Sequence, residues 1–144
     1  MSNNPAPPAL SVLIVDDDPD TLTLVGLILR QQGFQVDFAS EGETAIEKLK
    51  NNVYDAMITD VIMPGIDGWE LVRLVRSPDV IPGKDNRSLA IILNTALVSP
   101  SDQRDNLPLS EIDAYLGKPF SLGMVRTTIL GAIEHRRQVI AKQS

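Results

Sequence analysis

Three carboxylates in a row, Asp16-Asp17-Asp18, follow the apolar run Val12-Leu13-Ile14-Val15, and a fourth, Asp60, closes the run Ala56–Thr59. Thr95 and Lys118 stand at matching places after two later runs, Ala90–Asn94 and Ala114–Leu116. If these runs are parallel strands of one sheet, with the first and third adjacent, the polar groups share one sheet edge. Residues just past the carboxyl ends of such strands line the crevice where ligands bind. Carboxylates brought that close repel one another, and a hard divalent cation among them relieves the repulsion. Mg2+ suits this set, because it takes octahedral oxygen ligation, keeps several waters and needs only one or two protein carboxylates. A remaining carboxylate can then act as nucleophile and accept a phosphoryl group, with the lysine and a threonine hydroxyl offsetting the charge on the phosphoryl oxygens.

The elements that must position these residues are legible as short β-branched runs alternating with stretches of helical period, the pattern of βαβ units around a parallel sheet. Candidate strands are Ser11–Val15, Gln35–Phe38, Ala56–Thr59, Ala90–Asn94 and Ala114–Leu116. The first, third and fourth are continuously apolar, as strands buried on both faces are. Asp20–Gln32 carries Leu22, Val25, Ile28 and Leu29 at helical spacing and stops at Gly33. Asp18, directly ahead of Pro19, reads as a helix cap rather than a metal ligand. Ser40-Glu41-Gly42-Glu43 matches a capping box and predicts a second helix that ends near Asn51. Gly68–Arg76 reads as a third helix, halted before Ser77-Pro78. Ser77–Ser88 reads as a long loop, a short fourth helix is expected within Ser99–Ile112 between Pro100 and Pro108, and a final helix begins after Ser121.

The chain has 144 residues, 43% hydrophobic and 22% charged, which suits one globular domain with a single core. Its net charge of −6 argues against nucleic acid as a partner, since phosphate backbones are bound by clustered Lys and Arg. It has no Cys, so disulfides, thiolate metal sites and thiol nucleophiles are excluded. Met1–Ala9 has no basic n-region or apolar h-region and reads as a flexible arm. No apolar run approaches the ~18 residues of a membrane span, and a soluble cytoplasmic protein is the expectation.

Taken in order, Val12-Leu13-Ile14-Val15-Asp16-Asp17-Asp18, Ile58-Thr59-Asp60-Val61-Ile62-Met63-Pro64-Gly65-Ile66-Asp67-Gly68, Thr95-Ala96 and Tyr115-Leu116-Gly117-Lys118-Pro119-Phe120 resemble the receiver domain of two-component response regulators. Each motif is weak alone; all of them in order on the expected strand ends are specific. The resemblance covers nearly the whole chain, so that 10–144 is expected to be the receiver and 1–9 the arm. It implies a doubly wound α/β fold with a five-stranded parallel sheet in the flavodoxin-like order 2-1-3-4-5 and about five helices.

Residue by residue, the resemblance makes Asp60 the phosphoacceptor and makes Asp16 and Asp17 the acidic pair that holds Mg2+. Asp17 is then the direct ligand, Asp16 acts largely through water, and the Ile62 backbone carbonyl joins the metal shell. Lys118 pairs with the phosphoryl group, Lys118-Pro119 matches a bond that is cis in the family, and Thr95 and Tyr115 form the switch pair. The partners implied are a sensor histidine kinase or phosphotransfer protein and a downstream protein, with a phosphorylation-dependent homodimer as a further expectation. The chain is then not an enzyme on an external substrate and changes only its own phosphorylation.

Two positions depart from many relatives by being apolar: Ile62, two past Asp60, and Leu97, two past Thr95. In the family these positions flank the path of the hydrolytic water, so the resemblance implies a long-lived acyl phosphate here. Two other readings compete. An aspartate-nucleophile phosphohydrolase of the haloacid dehalogenase type would use Asp16 with Asp18, but it lacks the right successor residue. A phosphorylation-independent interaction module is the other. Trp69 reads as ordinary packing, and His135, the single histidine, reads as a solvated side chain.

Overall fold

In the computed structural model, which describes residues 9–78, 80–81, 86–95, 109–117 and 122–143, five strands form one parallel sheet in the order β2-β1-β3-β4-β5. They are β1 (Ser11–Val15), β2 (Gln35–Ala39), β3 (Ala56–Thr59), β4 (Ala90–Thr95) and β5 (Ala114–Gly117). The helices among the described residues are α1 (Pro19–Gln31), α2 (Gly42–Asn51), α3 (Gly68–Arg76) and α4 (Leu122–Gln143), with single 3-10 turns at Asn86–Ser88 and Leu109–Glu111. The helix expected within Ser99–Ile112 lies outside the described residues except for its last few positions, where Leu109–Glu111 form the 3-10 turn. The arm expected over 1–9 lies outside them apart from Ala9.

Alternation along each strand divides the core in two. Leu13, Val15, Met57, Ile91 and Leu93 face α2 and α3, packing with Leu49, Leu71, Val72 and Val75. Val12, Ile14, Ile58, Ile92 and Leu116 face α1 and α4, packing with Leu29, Val125 and Ile129. Helices on both faces explain why the central strands are apolar over most of their length, with Thr59 and Asn94 near their carboxyl ends as buried polar exceptions.

Local chemistry sets the helix starts. Asp18 caps α1, accepting from the Asp20 N–H at 3.2 Å and from the Thr21 hydroxyl at 2.7 Å. Gly33, at φ +94, ends that helix in the left-handed region, as glycine allows. Asp67 caps α3 by accepting from the Glu70 N–H at 2.9 Å. The capping box at Ser40 does not form. The N-cap is Glu41, with no side-chain cap bond, and Gly42, the first helical residue, lies where a β-carbon would overlap the Ile66 side chain.

At the amino-terminal edge of the sheet lies a buried ionic hub that no sequence motif announced. The Asp113 carboxylate, with no side-chain exposure, takes Arg76 Nη2 at 3.2 Å and Arg136 Nε at 3.0 Å. It also takes His135 Nδ1 at 2.7 Å and the Ile91 N–H at 2.8 Å. His135 is therefore bonded to Asp113 through one ring nitrogen while remaining half-exposed. Arg76 donates further to the carbonyls of Asn86, Leu89 and Glu111. Burial, with the Arg136 cation beside it, holds the Arg76 pKa down to about 10. The hub ties the end of α3, the entry to β4, the start of β5 and the distal part of α4 to one another.

Candidate functional site

The carboxyl ends of β1 and β3 are adjacent, with Val15 paired to Thr59. The ladder runs one residue past each strand: the Asp16 N–H donates to the Ala39 carbonyl at 3.1 Å and the Asp60 N–H to the Val15 carbonyl at 3.0 Å. Asp16 and Asp60 are thereby held side by side. One carboxylate oxygen from each of Asp16, Asp17 and Asp60 lies within 4.8 Å of the others. Asp16 is buried, Asp60 partly buried and Asp17 exposed. The site thus grades from a fixed interior carboxylate to a solvent-facing one.

Backbone donors set the two inner carboxylates. Asp16 Oδ1 accepts from the Asp18 N–H at 2.9 Å, and Asp60 Oδ1 from the Val61 N–H at 2.7 Å. A β-carbon at Gly68 would overlap the Asp60 carbonyl oxygen and stand 2.8 Å from Val61 Cα, while the Gly68 N–H donates to the Val61 carbonyl at 2.8 Å. The start of α3 is thus clamped against the residue that carries the site. Gly65, at φ +79, makes the turn that returns the chain to that clamp. The buried Thr59 hydroxyl donates to the Asp60 carbonyl at 3.0 Å. Neither Thr59 nor Gly68 was singled out from sequence; the Asp67-Gly68 pair was the available signal.

The donor set fits a small hard cation. Oxygens sharing one octahedral Mg2+ at ~2.1 Å stand ~3 to ~4 Å apart. The observed cluster, with its ligand atoms all within 4.8 Å of one another, is compatible with that spacing. Three negative groups with hard oxygens and one open, exposed flank match a partly hydrated metal rather than a dehydrated cage.

The remaining expected site residues are placed in part. Thr95 ends β4 opposite Gly117 of β5, and its side chain lies outside the described residues, as do Lys118, Pro119 and Leu97. The Ile62 side chain is 55% exposed beside Asp60. Tyr115 is 44% exposed on β5, and desolvation raises the pKa of its phenol. Asp18 caps α1 and is not part of the Asp16, Asp17 and Asp60 cluster, so the second carboxylate of a strand-one phosphohydrolase is not placed beside Asp16. Among the described residues no helix is long and apolar enough to cross a membrane.

Comparison with known proteins agrees with this geometry. The family model for the response regulator receiver domain matches residues 12–130. A gliding motility regulatory protein of Myxococcus xanthus is 38% identical over 114 residues, which are 79% of this chain; the chain spans only 14% of that relative's length. Response regulator TrrA of Thermotoga maritima, solved in complex with Mg(2+)-BeF, superposes with a TM-score of 0.71 at 30% identity over 85% of this chain and 98% of its own. The receiver domain of a sensor histidine kinase from Pseudomonas aeruginosa, solved with a magnesium ion coordinated in its active-site cleft, gives a TM-score of 0.75 at 27% identity, covering 88% of this chain and 98% of its own. The fold, the acidic cluster at the strand ends and these likenesses converge: the chain belongs to the response regulator receiver domain family and is a module of two-component phosphorelay signalling.

Proposed function

We propose that Asp60 is the phosphoacceptor, taking a phosphoryl group from a sensor histidine kinase or phosphotransfer protein. The observation that carries this reading is the convergence of Asp16, Asp17 and Asp60 within 4.8 Å. An Asp60 oxygen attacks phosphorus as the phosphorus–nitrogen bond of the donor phosphohistidine breaks, and the leaving imidazole takes a proton. The acyl phosphate later reverts when water attacks phosphorus, releasing inorganic phosphate and restoring the carboxylate.

Asp17, Asp60 and the Ile62 carbonyl hold Mg2+, with Asp16 acting mainly through its water shell. The cation supplies positive charge against the carboxylates and phosphoryl oxygens. Lys118 offsets phosphoryl charge, and the Thr95 hydroxyl donates to a phosphoryl oxygen while Tyr115 turns inward from its exposed position. That movement biases a two-state surface that includes β5 and α4 and that a downstream protein or a second copy of the chain reads. The chain acts in the cytoplasm, folds as one unit over 10–144, and does no chemistry beyond its own phosphorylation and dephosphorylation.

The test is intact-mass spectrometry after incubation with Mg2+ and acetyl phosphate, in which the phosphorus–oxygen bond to acetate breaks instead. Wild type gains one phosphoryl group and Asp60→Ala gains none. An equal gain in the variant would move the site elsewhere.

A further inference from the structure

One buried side chain beside this site has no role in the account above. Among the described residues the polar residues buried as a whole are Asp16, Thr59, Asn94 and Arg136, and the side chains of Asp113 and Arg76 are buried in the ionic hub. Asp16 accepts from Asp18, Thr59 donates to the Asp60 carbonyl, and Arg136 pairs with Asp113. Asn94 is 1% exposed, and its Oδ1 is buried with no hydrogen-bond partner among the described residues. It also follows the apolar run Ala90-Ile91-Ile92-Leu93 within β4, at a buried place where a parallel sheet covered on both faces favours another aliphatic residue. A buried carboxamide left unpaired is unfavourable and calls for an explanation.

Register supplies one. Thr59 is paired with Val15 on one side and Leu93 on the other, so the next row across the sheet is Asp16, Asp60 and Asn94. The ladder bonds of Asp16 and Asp60 continue the pleat through that row. Val12, Ile14, Ile58, Ala90 and Ile92 share one face, and Asp16, Asp60 and Asn94 fall at the next position of the same alternation. Asn94 is therefore one strand spacing, ~4.8 Å, from the Asp60 backbone, on the side of the sheet that carries the two inner carboxylates. A carboxamide turned about its last torsion presents an N–H donor where its oxygen was. Phosphorylation of Asp60 would add acceptor oxygens next to that donor.

We propose that Asn94 is an additional hydrogen-bond donor of the phosphorylated site, its Nδ2 donating to an oxygen of the Asp60 acyl phosphate. The proposal rests on Asp60 being the phosphoacceptor. It gives the carboxamide N–H an acceptor in the phosphorylated state, and so makes Asn94 a residue that favours that state without holding Asp60 beforehand.

The test combines NMR and kinetics. The Asn94 side-chain NH2 signals, assigned by their loss in Asn94→Leu, are followed as Mg2+ and then beryllofluoride are added to the unphosphorylated chain. Beryllofluoride stands in for the phosphoryl group, and the signals are expected to shift on its addition and to exchange more slowly with water. Asn94→Leu, close in shape, should melt no lower than wild type yet take up phosphate from acetyl phosphate about tenfold more slowly, the loss expected for one bond to a charged group. Asn94→Val serves if the leucine variant does not fold. Unmoved NH2 signals together with a rate within twofold of wild type would overturn the proposal. If wild type gains no phosphoryl group and beryllofluoride leaves every signal near Asp60 unchanged, the phosphoacceptor reading itself fails and takes the proposal with it.

Discussion

Arg136 Nε lies 3.0 and 3.2 Å from the two oxygens of Asp113, a pair separated by 23 residues and buried at the amino-terminal edge of the sheet. Arg76 reaches the same carboxylate from α3, so one anion is shared by two guanidinium groups whose side chains are 7% and 4% exposed. Removing that anion leaves buried charge with, among the described residues, the part-exposed Glu111 as the remaining carboxylate partner. Asp113→Asn is expected to destabilise the fold by ~3 to 5 kcal/mol, as breaking a buried pair does. Urea denaturation should show a lower midpoint at unchanged slope; a loss below ~1 kcal/mol would mean that Glu111 carries the pairing.

Trp69 is the single tryptophan and is buried beside Gly68, which abuts Asp60. Its fluorescence should respond to Mg2+ along a saturable curve. Asp17→Asn, which removes one hard oxygen ligand and one charge, should weaken the apparent affinity by about tenfold or more. An unchanged titration in that variant would remove Asp17 from the metal site.

Gly68 has no room for a side chain, because a β-carbon there would overlap the Asp60 carbonyl oxygen. Gly68→Ala must displace either the start of α3 or the Asp60 backbone. The expected loss is ~1 to 3 kcal/mol of stability, typical of overpacking, accompanied by slower phosphorylation from acetyl phosphate. A variant with wild-type stability and rate would show that the clamp yields freely.

The exposed aliphatic side chain of Ile62 sits two residues past Asp60 and cannot orient a water by hydrogen bonding. Ile62→Asn supplies a donor and an acceptor there. The acyl phosphate half-life, read by the decay of the phosphorylated mass, should shorten about fivefold, the equivalent of one ordinary hydrogen bond. No change would place the hydrolytic water elsewhere.

Much of this molecule is determined by sequence alone, because its signals are local. Apolar runs covered on both faces mark β1, β3 and β4, and the carboxylates that follow β1 and β3 fall at the strand ends where ligands gather. The Asp18 cap and the left-handed Gly33 are written in single residues whose conformational preferences leave little choice. Tertiary structure decided the rest. The N-cap of α2 is Glu41 and not Ser40, and Gly42 next to it meets Ile66, a contact between elements that no cap motif records. The hub at Asp113 joins residues from α3, β5 and α4, and charges far apart in sequence pair only once the sheet has brought them together. Asn94 reads in sequence as one polar residue at the end of an apolar run. Only strand register puts it level with Asp60, because which side chains share a row depends on how neighbouring strands align and not on the order of residues within either one.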